Sequence, residues 1–226
     1  MAERVLDGHL GRPVAIDLCL TCQAFWFDAR ESLQLTPAST LTLFRVIGED
    51  TKPGRPLAAA RCPRCDARMH VAHDMQRQTR FEYLTCPVGH GRFTTFFNFL
   101  REKDFVKPLT PAQVAELRAN FATVNCSNCG GAIDLASGGG CPHCGSPVSM
   151  LDLRQAATLI QQLQHADDRG PRANPALALS LARARVESEA AFGQLIDDPA
   201  WSRDASASGL VGAGLSLVAR WLNTPV

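Results

Sequence analysis

The sequence predicts an α+β fold: small β-ribbons through the N-terminal two-thirds, then an α-helical C-terminal region. Three observations predict it. Cysteines come in C-x-x-C pairs, at Cys19/Cys22, Cys62/Cys65, Cys126/Cys129 and Cys141/Cys144, and Cys86 is followed four residues on by His90. Capping boxes mark helix starts at Asp28, Thr110 and Asp152. Leu177, Leu181, Ala184, Ala191, Phe192 and Leu195 fall on one helical face.

At 226 residues the chain suits one or two domains, and 46% hydrophobic with 20% charged residues reads as soluble and globular. "MAERVLDGHLG" has no apolar core of a signal peptide. Nine cysteines without an export signal point to a reducing, cytoplasmic compartment. The longest apolar run, "SGLVGAGLSLVA" at 208–219, makes about 18 Å of helix against roughly 30 Å of bilayer hydrocarbon. It reads as a packed terminal helix rather than a membrane span.

In chain order, Asp28-Ala29-Arg30-Glu31 opens a short helix after the first cysteine pair. "LTPA" occurs at 35–38 and again at 109–112, hinting at a repeated knuckle-then-helix unit. "MHVAHD…RFEYLT", within 69–85, reads as a β-hairpin. At least one of the pairs Phe96/Phe99 and Phe97/Leu100 is spaced to be buried on a helix. Thr110-Pro111-Ala112-Gln113 opens the next helix, with Pro at its first position. Asp152-Leu153-Arg154-Gln155 opens another, and Asn174-Pro175 a fourth. The chain divides into residues 1–124, a charge-poor ribbon at 125–150, and a helical part at 151–226.

Tetrahedral zinc takes four soft ligands, and each C-x-x-C turn supplies two. Cys126, Cys129, Cys141 and Cys144, joined through Gly138-Gly139-Gly140, meet this within one ribbon. All four positions are then protein ligands, so the centre is structural. The alternative for "CPHC", redox chemistry, lacks a strand-then-helix context. Cys62, Cys65, Cys86 and His90 form a second, Cys₃His set across the hairpin. Cys19/Cys22 supplies only two ligands, and His9 and His73 are the candidates to complete it. A rival arrangement pairs Cys19/Cys22 with Cys62/Cys65 across 39 residues; the shorter loop favours the first. Three Zn²⁺ are expected, two at minimum.

Several of these motifs look like a known family. "IDLCLTCQAFWFDARESLQL", 16–35, resembles the second knuckle of the transcription-factor-IIB-type zinc ribbon family of bacterial proteins. The matching residues are Cys19, Cys22, Trp26, Phe27, Asp28 and Glu31. "CPRC" at 62–65 looks like a first knuckle, and the segment from Cys86 is similar to a second knuckle with His90 in place of cysteine. The 126–152 segment is similar to the family's small ribbons. The resemblance implies zinc binding. It supplies neither a reaction nor a target.

Charge separates the functional options. The nominal +1 counts thiols as neutral; with nine thiolates and three Zn²⁺ the loaded chain stands at about −2. The ribbon at 126–147 has Asp134 as its only charged side chain and no aromatic, so it repels a phosphate backbone. Residues 61–124 differ, with ten Lys/Arg, six Asp/Glu and eight of the fifteen aromatics. Arg64, Arg77, Arg80, Tyr83 and Arg92 are the candidates for stacking and charge contacts with nucleic acid. The plainer reading is that the phenylalanines are core and the arginines coat the surface or pair with acids. No G-x-S-x-G, P-loop or H-E-x-x-H is present. The sequence therefore points to a non-enzymatic zinc-binding scaffold that docks a protein, possible surfaces including the C-terminal helices. A nucleic-acid-binding regulator is the alternative, and the sequence does not fix the oligomeric state.

Overall fold

The computed structural model describes residues 1–49, 59–76, 79–158, 205 and 209–217. Two β-meanders meet edge to edge. The first is β1 (Ala2–Asp7), β2 (Pro13–Cys19) and β3 (Ala24–Asp28); the second is β4 (His70–Gln76), β5 (Thr79–Thr85) and β6 (Gly91–Thr95). They form one six-stranded sheet in the order β1-β2-β3-β6-β5-β4, antiparallel throughout. The seam pairs Ala24 with Thr95 and Asp28 with Gly91. The β2–β3 turn and the β5–β6 turn therefore lie at opposite ends of the sheet. Each meander is followed by a helix: α1 (Pro37–Glu49) after β3 and α2 (Phe96–Glu102) after β6.

The central strand β3 is buried on both faces, as its sequence AFWFD requires. Phe25 and Phe27 point into the main core with Val14, Ile16, Leu18, Phe44, Phe96 and Phe99. Phe25 meets Phe96 and Phe99 at ring separations of 4.7 and 5.0 Å. Trp26, on the opposite face, packs with Cys62, Met69, Leu84 and Cys86. The spacing predicts burial of at least one of the pairs Phe96/Phe99 and Phe97/Leu100, and both are buried on α2.

The rest of the chain is stitched to this sheet. After β7 (Val106–Pro108), α3 (Pro111–Asn120) leads into the hairpin of β8 (Thr123–Asn125) and β9 (Ala132–Asp134). β10 (Ser149–Leu151) then returns to pair with β7. Residues 209–217 are helical. Val211 and Leu215 of that helix enter the main core, while Leu210 and Ala213 pack against the ribbon with Ile133 and Leu135. The apolar run at 208–219 is thus a packed helix over the residues described. Among the described residues no helix is long and apolar enough to cross a membrane.

The capping boxes divide. Thr110 and Gln113 cap reciprocally, and α3 follows with Pro111 at its start. Asp152 Oδ1 accepts from the N–H of Arg154 and of Gln155, both at 3.2 Å, and residues 153–158 are helical. The first "LTPA" also starts a helix, with Thr36 Oγ1 accepting from Ser39 N–H at 3.1 Å. At Asp28 the expectation of a helix gives way to a three-residue 3₁₀ turn, Glu31–Leu33. Glu31 does reach back to the Asp28 N–H at 2.7 Å, but the Asp28 carboxylate is taken by Trp26 Nε1 and by Arg64, both at 2.8 Å. Asn174-Pro175 and the face from Leu177 to Leu195 lie outside the described residues.

Candidate metal centres

Both four-residue ligand sets assemble as the spacing predicts. In each, one ligand atom per residue lies within 4.8 Å of every other: Cys62, Cys65, Cys86 and His90 in one set, Cys126, Cys129, Cys141 and Cys144 in the other. Backbone geometry places them. Cys62 N–H donates to Ala67 O, Cys126 N–H to Gly131 O and Cys141 N–H to Ser146 O, each five residues on, at 2.8–2.9 Å. The return bonds, from the N–H of Asp66, Gly130 and Gly145 to the carbonyls of Cys62, Cys126 and Cys141, close each turn. Closure requires the left-handed region four residues after the cysteine, with φ of 58° at Asp66, 71° at Gly130 and 70° at Gly145. The β5–β6 turn keeps the first bond, with Cys86 N–H donating to Gly91 O at 3.0 Å, and closes one residue earlier, with Gly89 N–H donating to Cys86 O at 3.0 Å.

Sulfur separations test what these sets are built for. Cys65 and Cys86 Sγ stand 3.7 Å apart, Cys126 and Cys144 3.6 Å, Cys129 and Cys141 3.5 Å. A disulfide would be about 2.05 Å. A tetrahedron with metal–sulfur bonds of about 2.3 Å has edges near 3.8 Å. His90 turns Nδ1 toward the first set, 3.7 Å from both Cys62 and Cys86 Sγ. All the distances match ligands around one ion, and both clusters can hold a metal.

Electrostatics at the thiols runs both ways. Burial pushes Cys86 up, but the backbone N–H groups of His90 and Val88, with the Cys62 and Cys65 thiols, bring it down to about 6. Cys144 behaves alike, offset by Ser146 and its neighbouring thiols to about 7. Burial first, then the nearby Cys144, drives Cys126 well up. Each set thus holds one thiol inclined to ionise beside neighbours held above the ordinary thiol range, Cys65 in the first set and Cys126 and Cys129 in the second.

The third shell is not assembled. Cys19 and Cys22 occupy the β2–β3 turn. His9 lies in the β1–β2 turn, its N–H bonded to Gln34 O at 2.8 Å. That is the far end of a seven-residue strand, about 20 Å away. His73 is on β4 at the sheet's opposite edge, four strand spacings or about 19 Å from β2, and faces Glu82 at 4.0 Å. The rival pairing fails too, because Cys62/Cys65 joins Cys86/His90. Strand order, which spacing along the chain does not encode, decides both outcomes.

The arginine and aromatic candidates scatter. Arg92 is largely buried (18% exposed) in an ion pair with Glu102 at 2.6 Å, and it also hydrogen-bonds Ser32 Oγ. Its guanidinium lies 4.6 Å from the Tyr83 ring, which accounts for that tyrosine as well. Arg64 pairs with Asp28. Arg77 lies outside the described residues. Arg80 is exposed and, among the described residues, has no ion-pair partner. It lines a groove of about 600 Å³ between the β4–β5 hairpin and the ribbon, with His73, Met75, Arg101 and Ser146. The sequence reading missed Arg101, which stacks on Phe97 at 5.6 Å; a lone arginine next to a phenylalanine run gives no sign that it will face a groove.

Fold and sites define a mixed helix-and-strand protein with two cysteine-rich clusters that can hold metal ions. No family model matches the chain, and no curated protein or solved structure is significantly similar to it.

Proposed function

We propose that this protein is a non-enzymatic scaffold whose fold is pinned by two structural zinc ions and whose surface docks a protein partner. One observation carries the reading: each cluster brings four Cys or His ligand atoms together from the chain itself. Four protein ligands complete tetrahedral zinc, leaving no position for a reacting water or substrate. Zinc, rather than a hard cation, follows from seven thiolates and one imidazole. The positions of the clusters agree. One lies under Trp26 at the sheet, and the other fastens the ribbon between α3 and the 209–217 helix.

For docking, the groove beside β4 is open, and Val71 and Met75 on that edge strand are 50% and 58% exposed. Nucleic-acid binding is the weaker reading, because Arg64, Tyr83 and Arg92 are occupied within the chain.

Cobalt substitution tests the proposal. Co²⁺ in both sites should give the intense visible bands of tetrahedral thiolate coordination, unchanged by added azide or cyanate. A spectrum that shifts with those anions would show an open position and overturn the structural assignment. Single-stranded and duplex oligonucleotides should show no salt-dependent binding. Binding abolished by Arg80→Ala would favour the nucleic-acid reading.

A further inference from the structure

The Cys19/Cys22 turn has the makings of the other knuckles. Cys19 is paired with Ala24, five residues on, as Cys62, Cys86, Cys126 and Cys141 bond to their fifth residues. Gln23, four residues on, takes the left-handed region at φ 47°, as Asp66, Gly130 and Gly145 do. The backbone N–H of Cys22, three residues on, points at Cys19 Sγ at 3.3 Å, where in the Cys62 knuckle that of Arg64, two residues on, points at Cys62 Sγ at 3.4 Å. The return bond also differs: the Gln23 N–H bonds Leu20 O rather than Cys19 O. A non-glycine residue held at positive φ is uncommon, and here it shapes a turn around two free thiols.

The turn also matches by topology. It joins the second and third strands of the first meander, where the Cys86/His90 turn joins those of the second. The second meander's turn faces Cys62/Cys65. The first meander's turn faces no such pair among the described residues, and the chain has none to spare. Of nine cysteines, seven belong to the two closed sets. Cys19 and Cys22 are half-buried, with Leu20 and Thr21 exposed between them.

We propose that Cys19 and Cys22 form a metal half-site completed by the same knuckle of a second copy of this chain. One zinc ion would be shared on a two-fold axis by four thiolates, their protons released on binding. The ribbon shows that two C-x-x-C knuckles suffice for a full shell, and a two-fold contact lets one surface serve as both halves. The inference rests on the zinc reading of the two closed sites.

The test measures zinc per chain and molar mass together, on full-length protein kept in reductant at tens of micromolar. The expected result is a dimer with about 2.5 zinc per chain. Cys19→Ser/Cys22→Ser should give a monomer with about two. Leu20→Glu, which sets like charges against each other across the axis and leaves the thiols intact, should also give a monomer. A wild-type monomer, with either two or three zinc ions, overturns the proposal, and so does a dimer indifferent to both variants. Fewer than two zinc ions in the double cysteine variant would instead sink the two closed sites, whatever the mass.

Discussion

At the scale of residues, charge and glycine placement decide more than their number suggests. Arg92 and Lys103 share one buried carboxylate, Glu102, at 2.6 and 3.4 Å. Lys103 also donates to Ser32 O at 2.6 Å, tying α2 to the turn that follows β3. Removing the carboxylate leaves two cations poorly compensated. Glu102→Ala should therefore cost about 3–5 kcal/mol in urea unfolding, whereas Arg80→Ala, at an exposed side chain, should change stability by less than about 0.5 kcal/mol. Similar values for the two would contradict the assignment. Gly91 is as constrained: a Cβ there would stand 2.3 Å from Phe27 O and 2.7 Å from the Trp26 ring. Gly91→Ala should lower the melting temperature and loosen the His90 ligand beside it. The sequence exposes every thiol and its spacing. It does not expose that Arg92 is buried, since pairing with Glu102 depends on β6 and α2 folding back on one another.

At the scale of elements, the legible parts are those whose signal is local. The 70–85 hairpin, the α3 box and the burial of the phenylalanine run each follow from residues within a turn or two. What was hidden depends on neighbours far along the chain. Asp28 looks like a helix cap until Trp26 and Arg64 claim its carboxylate. His9 and His73 look available to Cys19/Cys22 until the strand order separates them. The 209–217 helix is likewise placed by contact: a Cβ on Gly214 would sit 2.7 Å from Leu151 Cβ. Gly214→Val should force that helix off β10 and cost about 1–3 kcal/mol, read as lost protection of the 149–151 amides in hydrogen exchange. Thr110→Ala, which removes only a cap, should cost about 1 kcal/mol and leave those amides protected. Equal protection loss in both would argue against the close packing of helix and strand.

At the scale of the whole molecule, the two ligand clusters sit in different cores. One lies beneath Trp26 at the sheet's second meander, and the other lies in the ribbon that packs against α3 and the 209–217 helix. Stripping metal in the presence of reductant should abolish the cooperative thermal transition, because ligand binding energy at such centres is folding energy. Zinc restored at two equivalents per chain should bring the transition back. The α+β class was readable from sequence because cysteine pairs, hairpin and capping boxes agree. The joining of two meanders into one sheet was not, since the β3–β6 seam links residues some seventy positions apart.

The most direct test of the two closed shells is zinc K-edge X-ray absorption on the Cys19→Ser/Cys22→Ser protein. One Cys₃His and one Cys₄ centre predict an average of about 3.5 sulfurs near 2.3 Å and about half a nitrogen near 2.0 Å per zinc, with no oxygen. An average below three sulfurs, or a resolved oxygen ligand, would contradict the account.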